Sequence, residues 1–184
     1  MDATVTHRTA DLAGPSPALL PAGFVLLLGV VVIAAAWGFQ IIGGYVPCAL
    51  CLQERIPYYV GLPLVLVAVV AAQRGGPAWL VRGALILAAI AFAYGAALGV
   101  YHAGAEWRWW DGPADCGGGG AGAATSTGDL LDQLNKIQIV SCTDAPFRLP
   151  NADWGLSFAG WNAVVCVVLT LGSLFAIARD ARRA

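Results

Sequence analysis

The sequence predicts an all-α integral membrane protein, a bundle of four transmembrane helices with two extracytoplasmic loops that carry cysteines. Of its 184 residues, 59% are hydrophobic and 11% are charged, and the mean hydropathy is +0.72. Soluble globular domains carry roughly 25% charged residues, and a net charge of −1 gives no basic surface for nucleic acid. The length is that of one domain, so we expect residues 1–184 to form a single membrane unit.

Four charge-free stretches define the predicted spans, because an ionised side chain at the bilayer centre costs at least ~2.5–3.5 kcal/mol. The spans lie at about residues 19–42, 56–73, 83–101 and 156–178, which leaves outer loops at about 43–55 and 102–155. The first stretch, Leu12 to Gln53, is about twice as long as a crossing of ~20 residues. It therefore holds a helix followed by an apolar loop, and a Gly-Gly pair and Pro47 end the helix.

The distribution of Lys and Arg orients the bundle. Four spans place both termini on one side, together with the short turn between spans two and three. The terminal side holds Arg8, Arg74, Arg82, Arg179, Arg182 and Arg183, and the outer loops hold Arg55, Arg108, Lys136 and Arg148. Because cytoplasmic loops carry an excess of basic residues, we expect cytoplasmic termini. A signal peptide cleaved near Ala36 is the competing interpretation, but the apolar stretch continues to Ile42, too far for a signal core.

The predicted topology sorts the five cysteines into two classes. Cys48 and Cys51 lie in the first outer loop, Cys116 and Cys142 lie in the second, and Cys166 lies within the fourth span. Disulfides form and persist outside the cytoplasm, so the four loop cysteines predict two bridges. Three pairings are possible. Cys166 is expected to be a small buried hydrophobic residue.

Three functions compete for the four loop cysteines. The first is structural, two disulfides that fasten the loops to the bundle. The second is a zinc site, which the 25 residues between Cys116 and Cys142 disfavour because zinc sites use close pairs. The third is redox exchange. A Cys-x-x-Cys bridge closes too short a loop to stabilise the fold much, whereas that spacing lowers thiol pKa values and permits reversible exchange.

Arg55 strengthens the redox interpretation. If the segment is helical, Arg55 follows Cys51 by four residues and shares its face, so the guanidinium would favour the Cys51 thiolate. The alternative is an arginine that merely anchors the helix at the membrane boundary. No motif for a tightly bound electron carrier is present, and the only histidines are His7 and His102. A lipid-soluble acceptor such as a quinone therefore fits best.

These residues also carry a family resemblance. The run Cys48-Ala-Leu-Cys-Leu-Gln-Glu-Arg55 at the mouth of the second span, with a spaced cysteine pair in the long loop, resembles the bacterial disulfide bond formation protein B (DsbB) family. Further matches are Tyr101–Trp107 and Gly155–Asn162, and the resemblance covers about residues 20–178. It implies a protein-disulfide oxidoreductase of the bacterial inner membrane with periplasmic cysteine loops. That family, with its soluble partner and quinone, is known to keep the periplasm oxidising.

The resemblance further implies redox disulfides Cys48–Cys51 and Cys116–Cys142, joined in a relay. A DsbA-like oxidase with a thioredoxin fold would deliver electrons to Cys116 through a mixed disulfide. Cys142 would then attack Cys48, which leaves Cys51 as the thiolate that reacts with the acceptor.

The resemblance also implies a cofactor site. Ubiquinone, or menaquinone, would be the electron acceptor in the membrane lipid, with Cys51 and Arg55 beside it and no metal ion. His102 lies near the family's quinone-associated histidine. The alternative is that this histidine, at the end of a span, is an interfacial anchor.

The sequence also predicts details of the long loop. We expect the glycines after Cys116 to make that stretch mobile. Partner contacts are expected at 112–115, and a short surface helix is expected over 129–140.

Two alternatives remain open. A vitamin K epoxide reductase-like quinone reductase also has a four-helix bundle and two cysteine pairs, but that family places its Cys-x-x-Cys after the loop pair, whereas here it comes first. A non-enzymatic four-span protein with structural disulfides would share the topology but not the thiol reactivity. A transporter is disfavoured because no predicted span has an acidic or basic residue in its interior.

Overall fold

The computed structural model describes residues 16–112, 138–139, 142, 145, 148–149 and 155–182. The elements in these residues are α1 (Leu19–Ile41), β1 (Tyr45–Val46), α2 (Ala49–Gln53), α3 (Ile56–Gln73), α4 (Ala78–Glu106), β2 (Gln138–Ile139) and α5 (Phe158–Ala181). Within that part of the chain, four helical segments are long and apolar enough to cross a membrane: Leu19–Ile41, Ala49–Gln73, Ala78–Glu106 and Phe158–Ala181. The predicted four-helix membrane fold is confirmed.

The helix α4 is longer at both ends than the predicted span 83–101. It begins at Ala78, directly after Pro77, and ends at Glu106. A charge-free criterion stops too early here because the ionisable residues at the helix ends have partners. At the first end, Nε of Arg82 lies 2.8 Å from Oδ2 of Asp180 on α5.

The helices pack with α4 at the centre, against α3 and α5, while α1 contacts α3 and α5. Val65, Phe92 and Leu169 are completely buried between them. Small residues let two helices approach closely: a Cβ at Gly99 of α4 would lie 2.8 Å from the backbone nitrogen of Ala163 on α5. The interface places the Glu106 end of α4 beside the start of α5.

A polar cluster closes the end of the bundle that carries the termini. Asp180 is buried and accepts hydrogen bonds from Arg82 and from Ser16, whose Oγ lies 2.5 Å from Oδ1. The backbone nitrogen of Ser16 also donates to the carbonyl of Ala72 at the end of α3. The cluster therefore joins all four spanning segments.

At the opposite end, residues of the long loop return to the bundle. Gln138–Ile139 pairs in parallel with Tyr45–Val46, so the helix predicted over 129–140 is wrong at these two residues. A non-local strand partner decides their conformation, and periodicity within one segment cannot reveal it. The rest of that predicted helix, Cys116 and residues 113–115 lie outside the described residues.

Candidate redox active site

The dithiol pair lies at the mouth of the bundle, where β1 leads into α2. Cys48 is the N-cap of α2, and its sulfur accepts a hydrogen bond from the backbone N–H of Cys51 at 3.2 Å. The two Sγ atoms lie 2.8 Å apart, and both thiols are free. Cys48 is buried and Cys51 is half-buried. The Cys-x-x-Cys spacing thus brings both sulfurs together in the first turn of a short helix.

Cys142 of the long loop contacts this pair. It is fully buried, belongs to the same apolar cluster as Cys48 and Leu50, and is disulfide-bonded. Its sulfur, the sulfur of Cys48 and a ring nitrogen of His102 all lie within 4.8 Å of one another. Three such groups resemble a metal site, but a disulfide sulfur has no thiolate to offer a metal. The same proximity suits thiol–disulfide exchange.

His102 connects the thiols to a buried carboxylate. Its Nδ1 lies 2.9 Å from Oε1 of Glu54, and its Nε2 lies 3.9 Å from the sulfur of Cys48. The hydrogen bond from Cys51, together with the contacts of His102, lowers the pKa of Cys48 to about 4, although burial opposes the shift. We expected Arg55 to favour the thiolate of Cys51. The structure instead favours the thiolate of Cys48.

A second carboxylate lies on the far side of the imidazole. Oε1 of Glu106 lies 4.0 Å from Nε2 of His102. Ser157, the N-cap of α5, donates its hydroxyl to Oε2 of Glu106 and accepts from the backbone N–H of Gly160. The start of α5 is therefore tied to the end of α4 by a polar contact. Sequence reasoning assigned no role to Glu54, Glu106 or Ser157, although a glutamate at the edge of a span was a usable signal.

The guanidinium of Arg55 is directed to α1. Nη1 donates to Oε1 of Gln40 at 2.6 Å, Nη2 donates to the carbonyl of Ala36 at 3.4 Å, and Cζ lies 5.2 Å from the ring centroid of Trp37. Three groups on one face of α1 thus hold this side chain, which is buried. The spacing to Cys51 could not reveal them, because α1 lies in a separate span.

A cavity of about 320 Å³ opens between α1, α3, α4 and α5. Most of its wall is apolar, and its ionisable or thiol side chains are Tyr45, Cys51, Glu54, Arg55, Tyr58, His102 and Glu106. An apolar cavity with a few converging polar groups is typical of a small-molecule site. A flat apolar ring with polar ends matches this lining, and Cys51 would be in the wall beside it.

Cys166 and Asn162 lie on the α5 side of the same region. Cys166 is buried as expected, and its thiol also donates to the hydroxyl of Tyr58 at 3.4 Å. Tyr58 in turn donates to Oδ1 of Asn162 at 2.7 Å. Nδ2 of Asn162 is a buried side-chain nitrogen with no hydrogen-bond partner among the described residues. Asn162 also lines the cavity.

The chain matches one family of known proteins over most of its length. The family model "Disulfide bond formation protein DsbB" matches residues 20–176, a range that contains every residue of the site described above. No curated protein matches the chain, and no solved structure matches it.

Proposed function

Since the chain belongs to the family of disulfide bond formation protein DsbB, we propose that it is a quinone-dependent thiol oxidase that reoxidises a periplasmic DsbA-like dithiol oxidase. The family supports a multi-pass membrane protein with disulfide oxidoreductase activity. The observation that carries the finer proposal is the position of Cys48, with the Cys51 thiol on one side and the disulfide-bonded Cys142 on the other.

The first stage is exchange with the partner at the pair Cys116–Cys142. A thiolate of the reduced partner attacks Cys116, which forms a mixed disulfide and releases Cys142 as a thiolate. Cys142 then attacks Cys48 of the Cys48–Cys51 disulfide, so a Cys142–Cys48 bond forms and Cys51 leaves as a thiolate. The proximity of the Cys48 and Cys142 sulfurs supports this step.

The second stage returns the loop pair to its disulfide. The partner's second thiol displaces Cys116, and the partner leaves oxidised. Cys116 then attacks Cys142, which re-forms their bond and releases Cys48. The result is a free dithiol at Cys48 and Cys51 beside a disulfide-bonded Cys142.

The third stage oxidises the dithiol. Ubiquinone, or menaquinone, supplies the acceptor chemistry, taking up two electrons and two protons to become a quinol. Cys48 and Cys51 lose two electrons as their S–S bond forms, and two protons leave the site for the acceptor. The cavity beside Cys51, with Arg55 and His102 in its wall, supports binding of such a ring. His102 is also placed to stabilise the Cys48 thiolate.

The proposed location is the bacterial inner membrane, with both termini cytoplasmic and the cysteine loops periplasmic. The excess of arginine on the terminal side supports this orientation. A disulfide at Cys142 supports it as well, because disulfides persist outside the cytoplasm.

The direct test is turnover with both substrates. Purified protein in detergent is mixed with a reduced DsbA-type oxidase and a short-chain ubiquinone, and quinone absorbance is followed. We expect quinone loss and partner oxidation in a one-to-one ratio, abolished by Cys51→Ser. Partner oxidation without quinone loss would contradict the acceptor. A Cys48–Cys51 pair inert to the partner would instead favour structural disulfides.

A further inference from the structure

Two buried carboxylates flank a single imidazole in this site. Glu54 contacts Nδ1 of His102 at 2.9 Å, and Glu106 faces Nε2 at 4.0 Å. Glu54 is 8% exposed, Glu106 is 6% exposed and His102 is 2% exposed, so water does not screen their charges effectively. Cys48, whose thiolate is favoured, adds another negative group 3.9 Å from the ring.

The charges of this cluster do not balance if both glutamates are ionised. An imidazole carries at most one positive charge, so two carboxylates and one thiolate would leave the buried cluster with a net charge of about −2. Unpaired buried charge is costly, and such groups neutralise by binding a proton. Arg148 is a further cation that acts on Glu106 and offsets one of these charges, and its guanidinium also stacks on Trp107 with 5.4 Å between Cζ and the ring centroid. The remaining net charge of about −1 is neutralised by one bound proton.

Glu106 is better suited than Glu54 to hold this proton. Glu54 lies within hydrogen-bonding distance of His102 and can form an ion pair with it. Glu106 lies 4.0 Å from the ring, beyond hydrogen-bonding distance, so His102 compensates its charge less than that of Glu54. The hydroxyl of Ser157 occupies Oε2 and not Oε1. Glu106 also lines the cavity that contains Cys51 in its wall.

We propose that Glu106 is a proton-holding residue, protonated in the dithiol state, which supplies one of the two protons taken up by the quinone. This inference rests on the proposed function for its last step only. Cys51 supplies the other proton, and Cys48 enters the reaction as a thiolate. The Cys48–Cys51 bond forms, two electrons and two protons leave for the acceptor, and Glu106 is left ionised. Water at the mouth of the bundle returns its proton before the next cycle.

The protonation state is tested without quinone. Infrared spectra of the reduced protein in detergent are recorded in H2O and D2O, where a protonated carboxyl has a C=O stretching band that shifts on deuteration. We expect the wild-type band to be lost in Glu106→Gln and kept in Glu54→Gln. Loss of the band in Glu54→Gln alone, or the absence of any such wild-type band, would overturn the assignment.

The transfer is tested by the pH dependence of turnover. Glu106→Gln can still accept the Ser157 hydrogen bond but holds no exchangeable proton. We expect kcat for quinone reduction to fall on the order of a hundredfold at alkaline pH and to recover as pH is lowered, because bulk protons then replace the missing donor. A deficit that is constant with pH would assign Glu106 a structural role.

Further comparisons distinguish failure of the proposed function from failure of the proposed proton transfer. Labelling of Cys48 at the same rate in Glu106→Gln and wild type verifies that the variant is folded at the site. If the wild-type protein neither binds nor reduces quinone while the infrared band is present, the proposed function is contradicted and the protonation of Glu106 is still supported. If quinone is reduced and Glu106→Gln has the wild-type pH profile, the proton transfer fails.

Discussion

Oε1 of Glu54 lies 2.9 Å from Nδ1 of His102, and this contact leaves the other ring nitrogen facing the sulfur of Cys48. An ionised carboxylate only accepts hydrogen bonds, so Glu54 holds the proton on Nδ1 and fixes the ring. The order carboxylate, imidazole, thiol is the one by which many enzymes activate a nucleophile. Here the carboxylate comes from the end of α2 and the imidazole comes from α4.

Replacing His102 should make Cys48 less reactive. The hydrogen bond from Cys51 and the contacts of His102 lower the pKa of Cys48, so its thiolate is favoured at neutral pH. His102→Asn removes one cause of the shift and leaves the hydrogen bond from Cys51, so the pKa should rise and alkylation at pH 6 should slow. Iodoacetamide labelling of the Cys48 peptide over a pH series measures this by mass spectrometry.

A substitution elsewhere on α4 is the control for that experiment. Tyr94 is exposed and lies on α4 away from the thiols, so Tyr94→Phe should keep the wild-type labelling profile. If His102→Asn also keeps that profile, the imidazole does not stabilise the thiolate.

Removal of Cys142 should trap the partner. In Cys142→Ser, Cys116 is left without its resolving thiol, so it should attack the disulfide of an oxidised DsbA-type protein and remain joined to it. A non-reducing gel after acid quenching detects the adduct. The double variant Cys116→Ser, Cys142→Ser is the control and should give none. An adduct that persists in the double variant would mean that the partner binds covalently to a cysteine other than Cys116.

The sequence could predict features that depend on local pattern, but not those that depend on distant partners. Charge-free stretches located the spans, and Cys-x-x-Cys located the dithiol. The first turn of α4 was missed because Arg82 forms an ion pair with Asp180, which is 98 positions away in the sequence. The link between Glu54 and His102 was missed for the same reason. Only the packing of α4 beside α2 places the carboxylate next to the imidazole.

Packing of α4 on α5 should not tolerate a methyl group at Gly99. A Cβ there would lie 2.8 Å from a backbone atom of Ala163, which cannot move aside as a side chain can. We expect Gly99→Ala to destabilise the protein by about 1–3 kcal/mol. The unfolding midpoint in detergent measures the change.

Gly83 provides a matched control in the same helix. A Cβ at Gly83 would meet no atom within 4 Å. Because alanine is the better helix former, Gly83→Ala should be neutral or stabilise by up to about 1 kcal/mol. An equal loss of stability in the two variants would mean that the close contact at Gly99 does not cause the destabilisation.

The proposed orientation predicts opposite results for two reporter fusions. A reporter active only outside the cytoplasm should be silent after Ala184 and active after Gly112, which follows the outer end of α4. Western blotting of both fusions controls for expression. Activity at Ala184 and silence at Gly112 would place the cysteines in a reducing compartment and refute the oxidase.

Arg55 should act on the acceptor step and not on the partner. Its planar fork donates to Gln40 and Ala36 of α1 and forms part of the cavity wall, whereas partner attack occurs at Cys116 in the other loop. Arg55→Lys keeps the charge but loses the fork, and Arg55→Met loses both. A lost charge-assisted hydrogen bond is worth roughly 1.5–3 kcal/mol, so KM for quinone should rise about tenfold to a hundredfold in Arg55→Met and less in Arg55→Lys. KM for the reduced partner should stay unchanged, and Arg74→Lys, at the other end of α3, should alter neither value. The reverse pattern, in which only the partner's KM rises, would assign Arg55 to the partner interface.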